Sequence, residues 1–195
     1  MIAIICMACT SKSSDFVREE PIEPEYIVIL QPINGFKGAE KVKIFLEKEL
    51  SKIYPNTTIE ISVSSEKLNL DKSYKVGNKY SAIKILNKLK TLGHSEDLSV
   101  IRMGLLDEDL GHKIHNSNNY GIQGLSFCPG NVSVVSSFRT RNREVLNSVI
   151  LHEFLHTRGL QHCDNEYCIM KDGKGVGFKH SNYSLCEYCT LILNN

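Results

Sequence analysis

The spacing of apolar residues changes period several times along the chain, and each change marks an element. Residues 26–33 (YIVILQPI) are a short β-branched apolar run closed around Pro32, which predicts a strand. Residues 38–54 set Val42, Ile44, Phe45, Leu46, Leu50 and Ile53 among lysines and glutamates, the stripe of an amphipathic helix, and Pro55-Asn56 stops it. Residues 57–63 alternate as a strand does. Within 80–92, Ile83, Leu86 and Leu89 recur at helical spacing, and Gly93 follows as a C-cap. Residues 98–106 are apolar and read as a strand, whereas 107–119 are polar without a period and predict a surface loop. Residues 121–127 and 132–138 read as two short strands joined by Cys128-Pro129-Gly130-Asn131, strong turn chemistry. A helix over 142–158 follows. This order predicts an α/β fold on a mostly parallel sheet with an antiparallel edge.

The N-terminus follows a different pattern. Residues 1–8 (MIAIICMA) are apolar, Cys9 follows, and the next residues are polar. Eight apolar residues are too few to span a bilayer. A small residue before a cysteine, with an apolar run upstream, looks like the end of a bacterial lipoprotein signal, with the start then lying upstream of Met1. On that expectation Cys9 is lipidated and anchors the protein to a membrane of the cell envelope, and Cys6 is lost with the signal. The alternative is an apolar terminus without a role on a cytoplasmic protein. Residues 1–25, with Pro21 and Pro24, are read as leader and linker, and 26–195 as one domain.

Charge narrows the functions. The net charge is +1, from 23 basic and 22 acidic residues, so there is no broad electrostatic case for nucleic acid or for an anionic membrane.

Candidate chemistry concentrates in the helix over 142–158 and just beyond it. Residues 152–162 read His-Glu-Phe-Leu-His-Thr-Arg-Gly-Leu-Gln-His. Residues four apart differ by about 40° around a helix axis, so His152 and His156 share a face on successive turns. Val145 and Val149 extend that stripe, which therefore faces the interior. Two imidazoles so placed can both reach a zinc ion at about 2.0–2.1 Å. Glu153 lies about 100° from His152 around the axis, where it can take a proton from water without ligating the metal. A continuous helix would carry His162 about 240° away from His156, so the chain must turn, and Gly159 permits the turn. Three histidines leave a fourth position open, as a catalytic zinc requires. The bare H-E-x-x-H would also fit a buried helix with two core histidines. The glycine and third histidine at these offsets favour zinc.

Four of the seven cysteines, Cys163, Cys168, Cys186 and Cys189, follow this motif. Such clustering with a C-x-x-C pair suggests metal binding more than a disulfide framework. The string H-E-x-x-H-x-x-G-x-x-H-C-x-x-x-x-C-x-M, followed by C-x-x-C, resembles the archaemetzincins, in which the residue after the third histidine is the first of four cysteines. Residues 26–33, GLSFCPG at 124–130 and VVSSFR at 134–139 also look like archaemetzincin segments. The resemblance thus covers the chain from about Tyr26 onward. It implies a metzincin-like fold: a mixed, mostly parallel twisted sheet, an active-site helix and a small zinc-bound C-terminal subdomain. It implies two zinc ions per chain, a catalytic one on His152, His156 and His162 and a structural one on Cys163, Cys168, Cys186 and Cys189. Met170 matches the methionine of the Met-turn, an apolar floor below the histidines. The chain departs from the pattern in a shorter stretch between Met170 and Cys186, and in Asp172, where some metzincins carry a tyrosine. Four thiolates in two close pairs also suit a closed tetrahedral zinc site on chemical grounds, with disulfides as the competing account outside the cytoplasm. Cys128 is read as structural, and His112 and His115 as solvated surface without metal.

The expected activity is peptide-bond hydrolysis by a monomeric zinc metallopeptidase, with Glu153 as general base and no nucleic-acid partner. Its peptide or protein substrate is expected to lie along an exposed edge strand at 132–138. Three alternatives stay open. They are a zinc-binding protein with little or no peptidase activity, acting through interactions; a zinc-ribbon-like nucleic-acid module; and a thermolysin-like site whose third ligand is a downstream glutamate.

Overall fold

A computed structural model describes residues 25–93, 96–114, 117–140, 142–173 and 183–194. Cys6, Cys9 and the lipidation expected there lie outside these residues, as does His115. In chain order the elements are β1 (Tyr26–Pro32), α1 (Ala39–Ile53), β2 (Ile59–Val63), β3 (Lys75–Val76), β4 (Lys79–Ser81), α2 (Ala82–Lys90), β5 (Val100–Leu106), β6 (Leu110–Ile114), β7 (Ser117–Ile122), β8 (Gly124–Ser126), β9 (Val132–Ser136), α3 (Arg143–Thr157) and α4 (Glu187–Leu193). Among the described residues no helix is long and apolar enough to cross a membrane.

The main sheet has the order β2-β1-β5-β9-β8. β1 pairs in parallel with β2 and β5, β5 pairs in parallel with β9, and β8 closes the edge antiparallel to β9. This is the expected mostly parallel sheet with an antiparallel edge. Parallel strands need both faces covered, and both are. Val28, Leu30, Met103 and Leu105 pack with Val42 and Leu46 of α1 and Val149 and Phe154 of α3. On the opposite face Leu106, Val132 and Val134 pack with Ile85, Leu86 and Leu89 of α2.

Two expectations need correction. Residues 107–119 are not a loop, because β6 and β7 run through them as an antiparallel pair, and β6 pairs in parallel with β4 to build a second sheet, β3-β4-β6-β7. Backbone hydrogen bonding to these neighbours, more than apolar patterning, defines those strands. Nor is the strand at 132–138 an exposed edge. β9 spans Val132–Ser136, is buried at all five positions and lies between β5 and β8. Its continuous apolar run fits a strand covered on both faces. The edge is β8.

Candidate active site

α3 starts at Asn142, whose side-chain oxygen accepts from the Val145 N–H at 2.9 Å, an N-cap that satisfies one of the free first-turn donors. The helix is buried around most of its circumference, from Ser148 through Leu155. It ends at Gly159, which has φ +92°. The Leu160 N–H reaches the Leu155 carbonyl at 3.2 Å and the Gly159 N–H reaches that of His156 at 2.9 Å, the paired bonds of a Schellman terminus. The turn is therefore fixed by backbone geometry that glycine adopts without strain, and it carries His162 back towards the helix face.

There the ring of His152 lies 4.4 Å from that of His156 and 5.3 Å from that of His162, centroid to centroid, and His156 lies 4.9 Å from His162. One ligand atom from each falls within 4.8 Å of the others. Burial is graded: His152 is buried, His156 half-buried and His162 exposed, so the cluster opens to solvent on one side. His152 Nδ1 lies 2.8 Å from the Ile169 carbonyl oxygen and His156 Nδ1 lies 2.6 Å from that of Leu160. A carbonyl oxygen only accepts, so each Nδ1 carries the hydrogen and each Nε2 keeps its lone pair. Burial pushes His152 down to about 3 and His156 down to about 4, with the neighbouring imidazoles adding to the effect. Both rings are thus neutral near pH 7, the protonation state that binds a metal.

Glu153 is buried on the same helix. The Ser126 hydroxyl lies 2.5 Å from Glu153 Oε2 and 2.8 Å from the Glu153 carbonyl oxygen. Gly124, two residues earlier on the same face of β8, leaves the space that the carboxylate fills: a Cβ there would come within 2.6 Å of Glu153 Oε1. Burial raises Glu153 to about 7, against the lowering effect of the Ser126 bond. A carboxyl poised there can accept and return a proton near neutrality. Sequence reading does not reach Gly124, Ser126 or the two orienting carbonyls. The period-2 spacing of residues 124 and 126 is the one available signal, and it does not say which strand face meets Glu153.

The four C-terminal cysteines converge as well, with their sulfurs within 4.8 Å of one another. All are free thiols. Cys163 Sγ and Cys186 Sγ are 3.7 Å apart, far beyond a disulfide bond of about 2.05 Å. Four Zn–S bonds of about 2.3 Å define a tetrahedron with edges of about 3.8 Å, so the spacing fits zinc. The Asn165 N–H donates to Cys163 Sγ and the Cys186 N–H to Cys168 Sγ, both at 3.4 Å. The Cys189 backbone N–H holds the Cys186 thiol down at about 7, whereas burial pushes Cys168 and Cys189 up. Met170 is fully buried, in the same hydrophobic core as Cys168 and Cys189. Cys128 stands apart from the four: its Sγ donates to the Leu160 carbonyl at 3.4 Å and accepts from Gln161 Nε2 at 3.1 Å, tying the β8–β9 turn to the Gly159 turn. His112, on β6, joins neither cluster.

A family model described as peptidase family M54 matches residues 29–195. The chain is 38% identical over 95 residues to the archaemetzincin of Nanoarchaeum equitans, a match covering 47% of this chain and 51% of that protein. It therefore spans about half the length of that relative. It is 28% identical over 134 residues to the archaemetzincin of Haloquadratum walsbyi, covering 60% and 72%. Among solved structures, the archaemetzincin from Methanopyrus kandleri superposes with a TM-score of 0.72 at 23% identity, over 89% of this chain and 96% of that one. The malonate complex of the Archaeoglobus fulgidus archaemetzincin gives 0.63 at 22% identity, over 85% and 98%. These likenesses establish the mixed, mostly parallel α/β fold.

Proposed function

The chain belongs to peptidase family M54, and from that premise we propose that it is a zinc metallopeptidase acting on peptide or protein substrates, with a catalytic zinc on His152, His156 and His162, a structural zinc on Cys163, Cys168, Cys186 and Cys189, and Glu153 as general base. The observation that carries this reading is the convergence of three imidazoles, two with Nδ1 tied to carbonyl oxygens, beside a buried carboxylate. Bound zinc supplies Lewis acidity towards a peptide carbonyl and towards water. The other steps belong to the chain. The Ser126 hydroxyl donates to Glu153 Oε2, which leaves Oε1, over Gly124, to carry the proton taken from the attacking water and returned to the leaving amine. β8 is the sheet edge that meets Glu153, and its outward side, which pairs with no strand among the described residues, can pair with an extended peptide.

The test is the zinc content and peptidase activity of purified protein beside its His156→Ala, Cys186→Ser and Glu153→Gln variants. About two zinc ions per chain are expected, each ligand variant losing one. Glu153→Gln should keep both and lose cleavage of a mixed peptide library. A folded protein that binds no zinc, or a fully loaded one that cuts nothing in the library, overturns the assignment.

A further inference from the structure

The two clusters are not independent neighbours. His162 and Cys163 are consecutive, so the third histidine and the first thiol share a peptide unit. The Cys163 N–H donates to the Met170 carbonyl at 2.8 Å, and Cys163 bridges Lys171 in parallel. Between Cys168 and Met170 sits Ile169, whose carbonyl accepts from His152 Nδ1. The Ile169 N–H in turn donates to the Ser184 carbonyl at 2.8 Å, two residues before Cys186. The cysteine-bearing loop therefore positions two of the three histidines: it fixes the tautomer of His152 and the backbone of His162. Only His156 is oriented from its own helix terminus, through Leu160. Resting on the two-site reading above, we propose that the cysteine cluster is the positioning element of the histidine cluster, so that metal at the four thiolates raises the affinity of the three imidazoles for metal, and the reverse.

The physical basis is ordering. Without a metal, the four thiols are held only by weak S–H contacts and backbone N–H···S bonds. Replacing their protons by one divalent cation closes the loop on itself and fixes the Ile169 carbonyl and the 162–163 peptide. Binding at the histidines then no longer has to order that segment. Coupling of this kind is reciprocal, because both ligands favour the same ordered state. Groups that orient a metal-binding histidine contribute about 10–100-fold in metal affinity, and that sets the expected size of the effect.

The experiment titrates chelator-stripped full-length protein with Co²⁺. Thiolate-to-cobalt charge transfer reads the cysteine site, and paramagnetically shifted imidazole resonances read the histidine site. In Cys186→Ser, with serine able to retain the N-cap of α4, the histidine-site affinity is expected to fall about 10–100-fold. In His156→Ala, which touches no thiol, the cysteine-site affinity is expected to fall by a comparable factor. Unchanged affinity of the untouched site in either folded variant overturns the coupling. If Cys186→Ser does not fold, the His156→Ala arm decides alone. Wild-type protein that binds cobalt at the thiols and never at the imidazoles removes the catalytic-site reading and the coupling with it. That outcome differs from two sites filling independently, which removes the coupling alone.

Discussion

Glu153 shows how little room the proposed chemistry leaves at single positions. Its carboxylate is buried, one oxygen is held by Ser126, and the other lies over the bare Cα of Gly124. A methyl at residue 124 would sit 2.6 Å from Oε1, 2.7 Å from Cγ and 2.8 Å from Cδ, closer than any real Cβ contact, so the carboxylate must move. Gly124→Ala is therefore expected to keep both zinc ions and to lower kcat at least about 100-fold, the lower end of what a displaced general base costs. Steady-state kinetics alongside zinc analysis checks this, and an alanine variant with wild-type kcat would show that the carboxylate works from elsewhere. The position of Glu153 next to His152 on one helix was legible in the sequence because it follows from helix geometry alone. Its surroundings were not, because they come from a strand 27 residues upstream whose facing is decided by the sheet.

At the scale of elements, α3 and the turn behind it carry their own instructions. Asn142 caps the start, buried residues run along the length, and Gly159 ends it at φ +92°. An L-residue side chain in that left-handed region costs about 1–2 kcal/mol. Gly159→Ala is expected to lower unfolding stability by that amount in urea titration and to weaken retention of the zinc assigned to His162. A loss of stability without loss of zinc would separate the turn from the site. The helix over 142–158 and the turn at Gly159 were legible because both follow from local sequence, whereas the Asn142 cap was not read from it. β6 and β7 were not, since LGHKI and SNNYGI lack a clean apolar alternation and owe their strand geometry to β4 and to each other. The roles of β8 and β9 were exchanged for a related reason. The three residues of β8 give a weaker signal than VSVVS, yet sheet order puts the weaker strand at the edge.

At the scale of the whole molecule, a site of neutral imidazoles and a protonatable glutamate built into one buried helix makes the metal-free fold sensitive to acid. His152 sits at about 3 and His156 at about 4 in the folded chain, against 6.5 for the free side chain. Their folded values are depressed, so as pH falls below 6.5 the unfolded chain takes up two protons that the folded chain refuses, and stability drops. Glu153 acts in the opposite direction. Its folded value, about 7, lies above the 4.5 of the free carboxyl, so between those limits the folded chain holds a proton that the unfolded chain releases. Between pH 6.5 and 4.5 the balance of these three groups is one more proton on the unfolded chain. Stability of chelator-treated protein should therefore fall with decreasing pH, at about 1.4 kcal/mol per pH unit in the middle of that window. Urea midpoints at pH 6.5, 5.5 and 4.5 measure the slope. A midpoint that rises as pH falls would mean that the glutamate outweighs both histidines, which would place the imidazoles in a far wetter setting than the buried face of α3. Saturating zinc should lift the whole curve at pH 6.5 and progressively less at lower pH, because the ion binds the folded chain and competes with protons for the same nitrogen lone pairs.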